Sequence, residues 1–181
     1  MGSNPIPSAT YDMKILRTNI VPKLAVVCCL HGNENFGLTV WNHLSGKLEE
    51  FPGLLLILAN EEAIQANSRF IDQDLSRSFP GNARGNLEER LAWEITEAVR
   101  GVRLLLDIHT TGTELRMTPI ITELNPEVSR VLNVCDSKEV WAMGAAPFSL
   151  IGQVRGGASL EFGDEYSQTP EALQEVVAII T

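Results

Sequence analysis

Residues 23–37 read KLAVVCCLHGNENFG. The first eight are nearly all apolar, have the length of a strand and carry no 3.6-residue period. The chain then turns abruptly polar, with His31, Asn33, Glu34 and Asn35 set among Gly32 and Gly37. Such a junction is either a solvated turn or a site built on the end of a buried strand, and the rest of the chain separates the two.

Two more short apolar runs, LLLILA at 54–59 and RLLLDI at 103–108, also read as strands. FGLTVWNHLSGKL at 36–48 and NLEERLAWEITEAVR at 86–100 instead space their apolar residues as a helix does. Asn86 with Glu89 three positions on has the form of a capping box, and Gly101 marks the helix end. Strand, helix, strand, helix, strand predicts an α/β fold of three layers, a mixed, mainly parallel sheet with helices on both faces. TPIIT (118–122) and GGASLEF (156–162) extend the strand set. PEVSRVLNV (126–134) and TPEALQEVVAIIT (169–181) extend the helices, the latter with Thr169 as N-cap and Pro170 in the first turn. Residues 1–23 are expected to form a loosely held start with an edge strand at MKILRT, and residues 24–181 a single catalytic domain.

The net charge of -9 and pI near 4.8 argue against nucleic-acid or anionic-membrane partners, because such a surface repels phosphate. An anionic substrate must then be held by local arginines. The three cysteines form no zinc-spaced cluster, their odd number gives no disulfide framework, and no secretory signal precedes the fold, so a cytoplasmic location is expected. Cys28 and Cys29, adjacent in a strand, are expected as free buried thiols on opposite faces. No apolar stretch approaches the roughly 18 residues of a membrane span.

Ligands of open α/β sheets collect at the carboxyl ends of the strands, and LHGNE, DIHTT and LEFG fall at such ends. His31 and Glu34, three apart at a strand-to-helix turn, can offer an imidazole and a carboxylate to one cation. His109 supplies a third ligand from a neighbouring strand end. Two His and one Glu with an open fourth position is a catalytic zinc pattern; it requires the two imidazoles to lie within about 8 Å, the reach of roughly 2 Å metal bonds. His43, the remaining histidine, lies on a helix and reads as structural, while Asp107 can orient His109 from behind.

Between these ligands lies NSRFIDQDLSRSFPG, residues 67–81. Alone, its Arg69 and Arg77 would read as surface partners of Asp72 and Asp74. The ordered set HGNExxG, R-x-I-D-x-D-L-x-R-x-F-P-G, D-I-H-x-T and a late E-x-G, spanning about residues 25–165, resembles the succinylglutamate desuccinylase/aspartoacylase family of zinc-carboxypeptidase-like hydrolases. The resemblance implies a zinc-carboxypeptidase-like fold, one Zn2+ per chain held by His31, Glu34 and His109, and hydrolysis of the amide bond of a small-molecule N-acyl amino acid. It implies that Arg69 stabilises the oxyanion, Arg77 grips a substrate carboxylate and Glu161 acts as general base. A homo-oligomer is compatible with it. Glu161, between Leu160 and Phe162 on a strand, would otherwise be a buried charge in need of a partner.

Two departures from the family pattern bear on substrate. Ser76 stands where the family has Asn before the second arginine, which places the shorter hydroxyl among the substrate-binding candidates. Longer members carry a further C-terminal domain, whereas this sequence runs about 20 residues past Glu161, so either a compact member with a more open site or a catalytic domain alone is expected. Arg155, six residues before Glu161, offers an extra carboxylate contact or is a surface arginine beside a Gly-Gly turn. Two alternatives stand beside the deacylase reading. One is a metallocarboxypeptidase acting on peptides, disfavoured by Asn33 where such peptidases tend to carry arginine; the other is a non-catalytic zinc-binding relative.

Overall fold

A computed structural model describes residues 13–181; of the loosely held start expected for residues 1–23, residues 1–12 lie outside the described residues. Among the described residues, seven strands form one sheet in the order β1-β3-β2-β4-β7-β5-β6. They are β1 (Lys14–Arg17), β2 (Leu24–Cys28), β3 (Leu54–Leu58), β4 (Leu104–Thr111), β5 (Met117–Ile121), β6 (Trp141–Ala142) and β7 (Gly156–Gly163). The central strands β3, β2, β4 and β7 run parallel, while β1 and β5 pair antiparallel with β3 and β7. The sheet is thus mixed and mainly parallel, with MKILRT supplying the edge strand.

Helices α1 (Asn35–Ser45), α4 (Pro126–Val134) and α6 (Pro170–Ile180), the last preceded by the short α5 (Asp164–Ser167), cover one face. Their apolar stripes, Phe36, Val40 and Leu44, then Val128 and Val131, then Ala172, Val176 and Ile179, pack on Val26, Leu56, Leu106 and Leu160. The other face carries α3 (Leu87–Ala98), which lays Leu87, Leu91 and Ile95 on Ala25, Val27, Leu55, Ile57 and Leu105. Irregular segments around Leu75–Phe79 and Leu150–Val154 complete that layer. Asn86 and Glu89 form the capping box of α3, and Asn125 and Thr169 cap α4 and α6, each with proline in the first turn. No helix of the described residues is long and apolar enough to cross a membrane.

The order in which the parallel strands are laid down reverses at β2. That strand leads to β3 on one side through α1, and β4 lies on its other side. A crevice therefore opens between the carboxyl ends of β2 and β4, where the covering elements diverge. Here the alternation expected for the cysteine pair fails. β2 ends at Cys28, and Cys29 takes φ 60°, in the left-handed region, so both thiols enter the same core instead of opposite faces. Both are free and buried, and burial raises both pKa values, that of Cys29 to about 12.

The turn after Cys29 is pressed against α2 (Glu61–Gln65), a helix too short to show a period in sequence. A Cβ on Gly32 would stand 2.1 Å from the Ala63 carbonyl carbon, and one on Gly37 2.6 Å from Cys29 Sγ. The two glycines of the opening motif are there for close approach. Gly32→Ala should therefore cost about 1–3 kcal/mol by overpacking. Gly46→Ala, at a position with φ -70° and no neighbour nearer than 3.5 Å, should change stability by no more than about 0.5 kcal/mol. Urea denaturation of both variants distinguishes these outcomes.

Candidate active site

Because β4 and β7 are parallel and in register, Asp107 lies beside Ser159 and His109 beside Glu161. Side chains two apart share a face, so these four continue the face that Leu105 presents to α3, past the point where apolar cover runs out. The turn after β2 adds His31 and Glu34. Glu34 caps α1 without using its side chain for capping, and its carboxylate points back across the strand ends.

That carboxylate lies between two rings. Glu34 Oε1 is 2.5 Å from His31 Nδ1, and Oε2 is 3.0 Å from His109 Nδ1. The ring centroids are 4.8 Å apart, well inside the reach one cation requires. The backbone N–H of Thr110 also donates to Oε2 at 3.0 Å. The outer nitrogens are taken by carboxylates: His31 Nε2 lies 3.0 Å from Asp74 Oδ1 and His109 Nε2 2.9 Å from Asp107 Oδ2. Both rings thereby turn Nδ1 inward, the arrangement in which a carboxylate fixes an imidazole ligand from behind. All three candidate ligands are buried, and one donor atom from each lies within 4.8 Å of the others. Two imidazole nitrogens and a carboxylate oxygen, with the rings held from outside, suit a tetrahedral divalent cation.

Electrostatics follow this geometry. Burial by itself would raise the pKa of Glu34, but hydrogen bonding and charge from His109 and His31 outweigh it and hold the group at about 2. Burial would lower that of His109, yet Asp107 and Glu34 raise it well above the ordinary value. Glu161 is raised, chiefly by burial, with His109 opposing and Asp107 adding to the effect. Ser159 Oγ donates to Glu161 Oε1 at 3.1 Å. Asp107 Oδ1 is buried without a hydrogen-bond partner.

The arginine segment wraps over this group. Arg69 forks onto Asp74 through Nε at 3.3 Å and Nη2 at 3.2 Å, and its Nη1 reaches 3.8 Å from Glu34 Oε1. Arg77 is held only loosely, its Nε 3.8 Å from Asp74 Oδ2 and its side chain 83% exposed. Ser76 donates its hydroxyl to Asp74 Oδ1 at 2.7 Å, so it turns lone pairs, not a proton, towards the cleft. Asp74, shared by His31, both arginines and Ser76, is pulled well below the usual carboxylate range by Ser76, His31 and Arg69 against the effect of burial.

His31, Glu34, Arg69, Ser76, Arg77, His109 and Glu161 all line one cleft of about 760 Å³. Arg155 does not. It precedes β7 while Glu161 lies near that strand's carboxyl end, and six residues of strand span about 20 Å. Its Nε instead pairs with Glu123 at 3.2 Å, with the side chain 86% exposed. Asn33 is exposed and stands outside the cleft lining.

Two features escaped the sequence. Glu88 is 0% exposed and accepts from the backbone N–H groups of Ile71, Asp72 and Gln73 and from Asn60 Nδ2, at 2.8–3.2 Å. Asp72 returns a contact to the Leu87 N–H at the start of α3, at 3.1 Å. This clasp fixes the backbone between Arg69 and Arg77. In sequence Glu88 reads as an ordinary acidic residue in a helix's first turn. The second feature is the segment from Met143 to Ile151, which lines the far side of the cleft; it lacks a period that would have marked it.

The profile of the succinylglutamate desuccinylase/aspartoacylase catalytic domain matches residues 20–143. A probable aspartoacylase of Trichodesmium erythraeum is 31% identical over 137 residues, which cover 66% of this chain and 45% of that protein. A succinylglutamate desuccinylase of Pseudomonas paraeruginosa is 34% identical over 95 residues, covering 45% of this chain and 29% of that protein. The chain thus spans less than half the length of these relatives. The crystal structure of murine aminoacylase 3 superposes with a TM-score of 0.70 at 20% identity, over 90% of this chain and 63% of that one, and shares its fold. With the profile spanning well over half of its length, the chain belongs to the succinylglutamate desuccinylase/aspartoacylase family.

Proposed function

We propose that the protein is a zinc-dependent deacylase that hydrolyses the amide bond of N-acyl amino acids. The observation that carries this reading is Glu161, a carboxylate of raised pKa in the same cleft as the His31, Glu34 and His109 cluster. One divalent cation per chain, zinc by the nitrogen and oxygen character of its donors, would be held by that cluster and would supply Lewis acidity to a water and to the acyl carbonyl.

The chain's own groups perform the rest. Glu161 takes the proton of the attacking water and delivers it to the departing amine; a carboxylate of raised pKa is better matched to both transfers near neutral pH. Arg69, already oriented by Asp74, places a permanent positive charge where negative charge builds on the acyl oxygen. Arg77, loosely tethered and exposed, can swing its planar fork onto a substrate carboxylate. Asp74 and Asp107 keep the two imidazoles in the orientation that turns Nδ1 inward.

Glu161→Gln should lower kcat by roughly 10²–10⁴-fold, the range of general-base catalysis, while the purified protein retains its metal by elemental analysis; near-normal turnover removes the proton-transfer role. Arg77→Ala should raise KM for a carboxylate-bearing substrate with a smaller effect on kcat, and steady-state kinetics on N-acyl amino acids reads the split. Asp107→Asn should weaken zinc binding about 10–100-fold, as loss of a carboxylate behind a ligating histidine does, measured by competition with a chromophoric chelator. Faster cleavage of short peptides than of N-acyl amino acids would move the assignment to a carboxypeptidase.

A further inference from the structure

We infer that the cleft selects N-acyl amino acids bearing a single carboxylate and an apolar substituent, and discriminates against substrates with two or three carboxylates. The inference rests on the deacylase reading and specifies its substrate class. Three observations carry it.

The first is the supply of cations. Among the described residues lining the cleft, Arg69 and Arg77 are the guanidiniums, and no lysine joins them. Arg69 is engaged by Asp74 through two nitrogens, which leaves Arg77 to meet a carboxylate. Glu34, Asp107 and Glu161 line the same space and oppose a second anionic group. The next observation is the orientation of Arg155, the further arginine that could have met another carboxylate. It stands at the far end of β7, paired with Glu123.

The third is an apolar wall of the cleft, made by Ile120, Met143, Pro147 and Phe148. Met143 is 58% and Phe148 69% exposed, so apolar surface faces the cleft and awaits cover. An aliphatic or aromatic group laid there removes apolar area from water on both partners. A carboxylate laid there would lose hydration without meeting a cation. The apolar group can belong to the amino-acid side chain or to the acyl chain; the wall's chemistry is the same for both.

The test is calorimetric titration of zinc-loaded Glu161→Gln protein, which holds ligand without turnover, with four compounds. N-acetylphenylalanine carries the apolar group on the side chain, N-hexanoylglycine carries it on the acyl chain, and N-acetylaspartate and N-succinylglutamate carry extra carboxylates. At least one of the first pair should bind roughly tenfold or more tightly than both of the second, the scale of discrimination an apolar pocket provides; which of the two does so assigns the wall to side chain or acyl group. Adding Phe148→Arg should narrow or reverse the ratio by setting a cation on the wall. Equal or tighter binding of either polycarboxylate, binding of none of the four, or a ratio indifferent to Phe148→Arg overturns the inference. Hydrolysis of the same compounds by the wild-type protein is read separately. Absence of turnover with the binding order intact defeats the deacylase reading and leaves the selectivity standing, whereas turnover that favours the polycarboxylates does the reverse.

Discussion

The carboxylate of Glu34, held between two inward-facing imidazoles at 2.5 and 3.0 Å, is the interaction around which the rest of the site is arranged. Buried ionisable groups are stable only when charge and hydrogen bonds are matched. Here the matching extends outward in shells, from Glu34 to His31 and His109, from the rings to Asp74 and Asp107, and from Asp74 to Arg69, Ser76 and Arg77. Each outer group fixes one degree of freedom of the group inside it.

The fold supplies this cluster from parts far apart in the chain. Parallel pairing of β2, β4 and β7 brings their carboxyl ends side by side, and the register sets Glu161 next to His109. Gly32 lets the first turn sit directly on the backbone of α2. The arginine segment has no long regular element to stiffen it. Its rigidity comes from Glu88 and Asp72, which exchange contacts with the backbone across the gap between loop and helix. Arg69 and Arg77 thus project from a fixed backbone while differing in freedom, one clamped on Asp74 and the other exposed.

The elements legible in the sequence are those whose local physics is self-sufficient. α3, α4 and α6 announce themselves by period and by caps that work with a few neighbouring residues. β2 and β3 do so by unbroken apolar runs buried on both faces, and β4 by the run Leu104–Leu106 that leads into Asp107. The metal-binding candidates were legible because two of three histidines follow such runs. What tertiary contact decides was not legible: the five-residue α2 and two-residue β6, the anchoring role of Glu88, and the apolar far wall. Distance along β7 sets Arg155 apart from the cleft that Glu161 enters. The left-handed turn at Cys29 ends the alternation that would have separated the two thiols.

X-ray absorption at the zinc edge of the metal-loaded protein reads the ligands at the His31, Glu34 and His109 cluster. Nitrogen and oxygen at about 2.0–2.1 Å with the scattering pattern of two imidazoles are expected, and no sulfur at about 2.3 Å. A sulfur ligand, drawn from Cys28, Cys29 or Cys135, or a shell without imidazole, would contradict that ligand set.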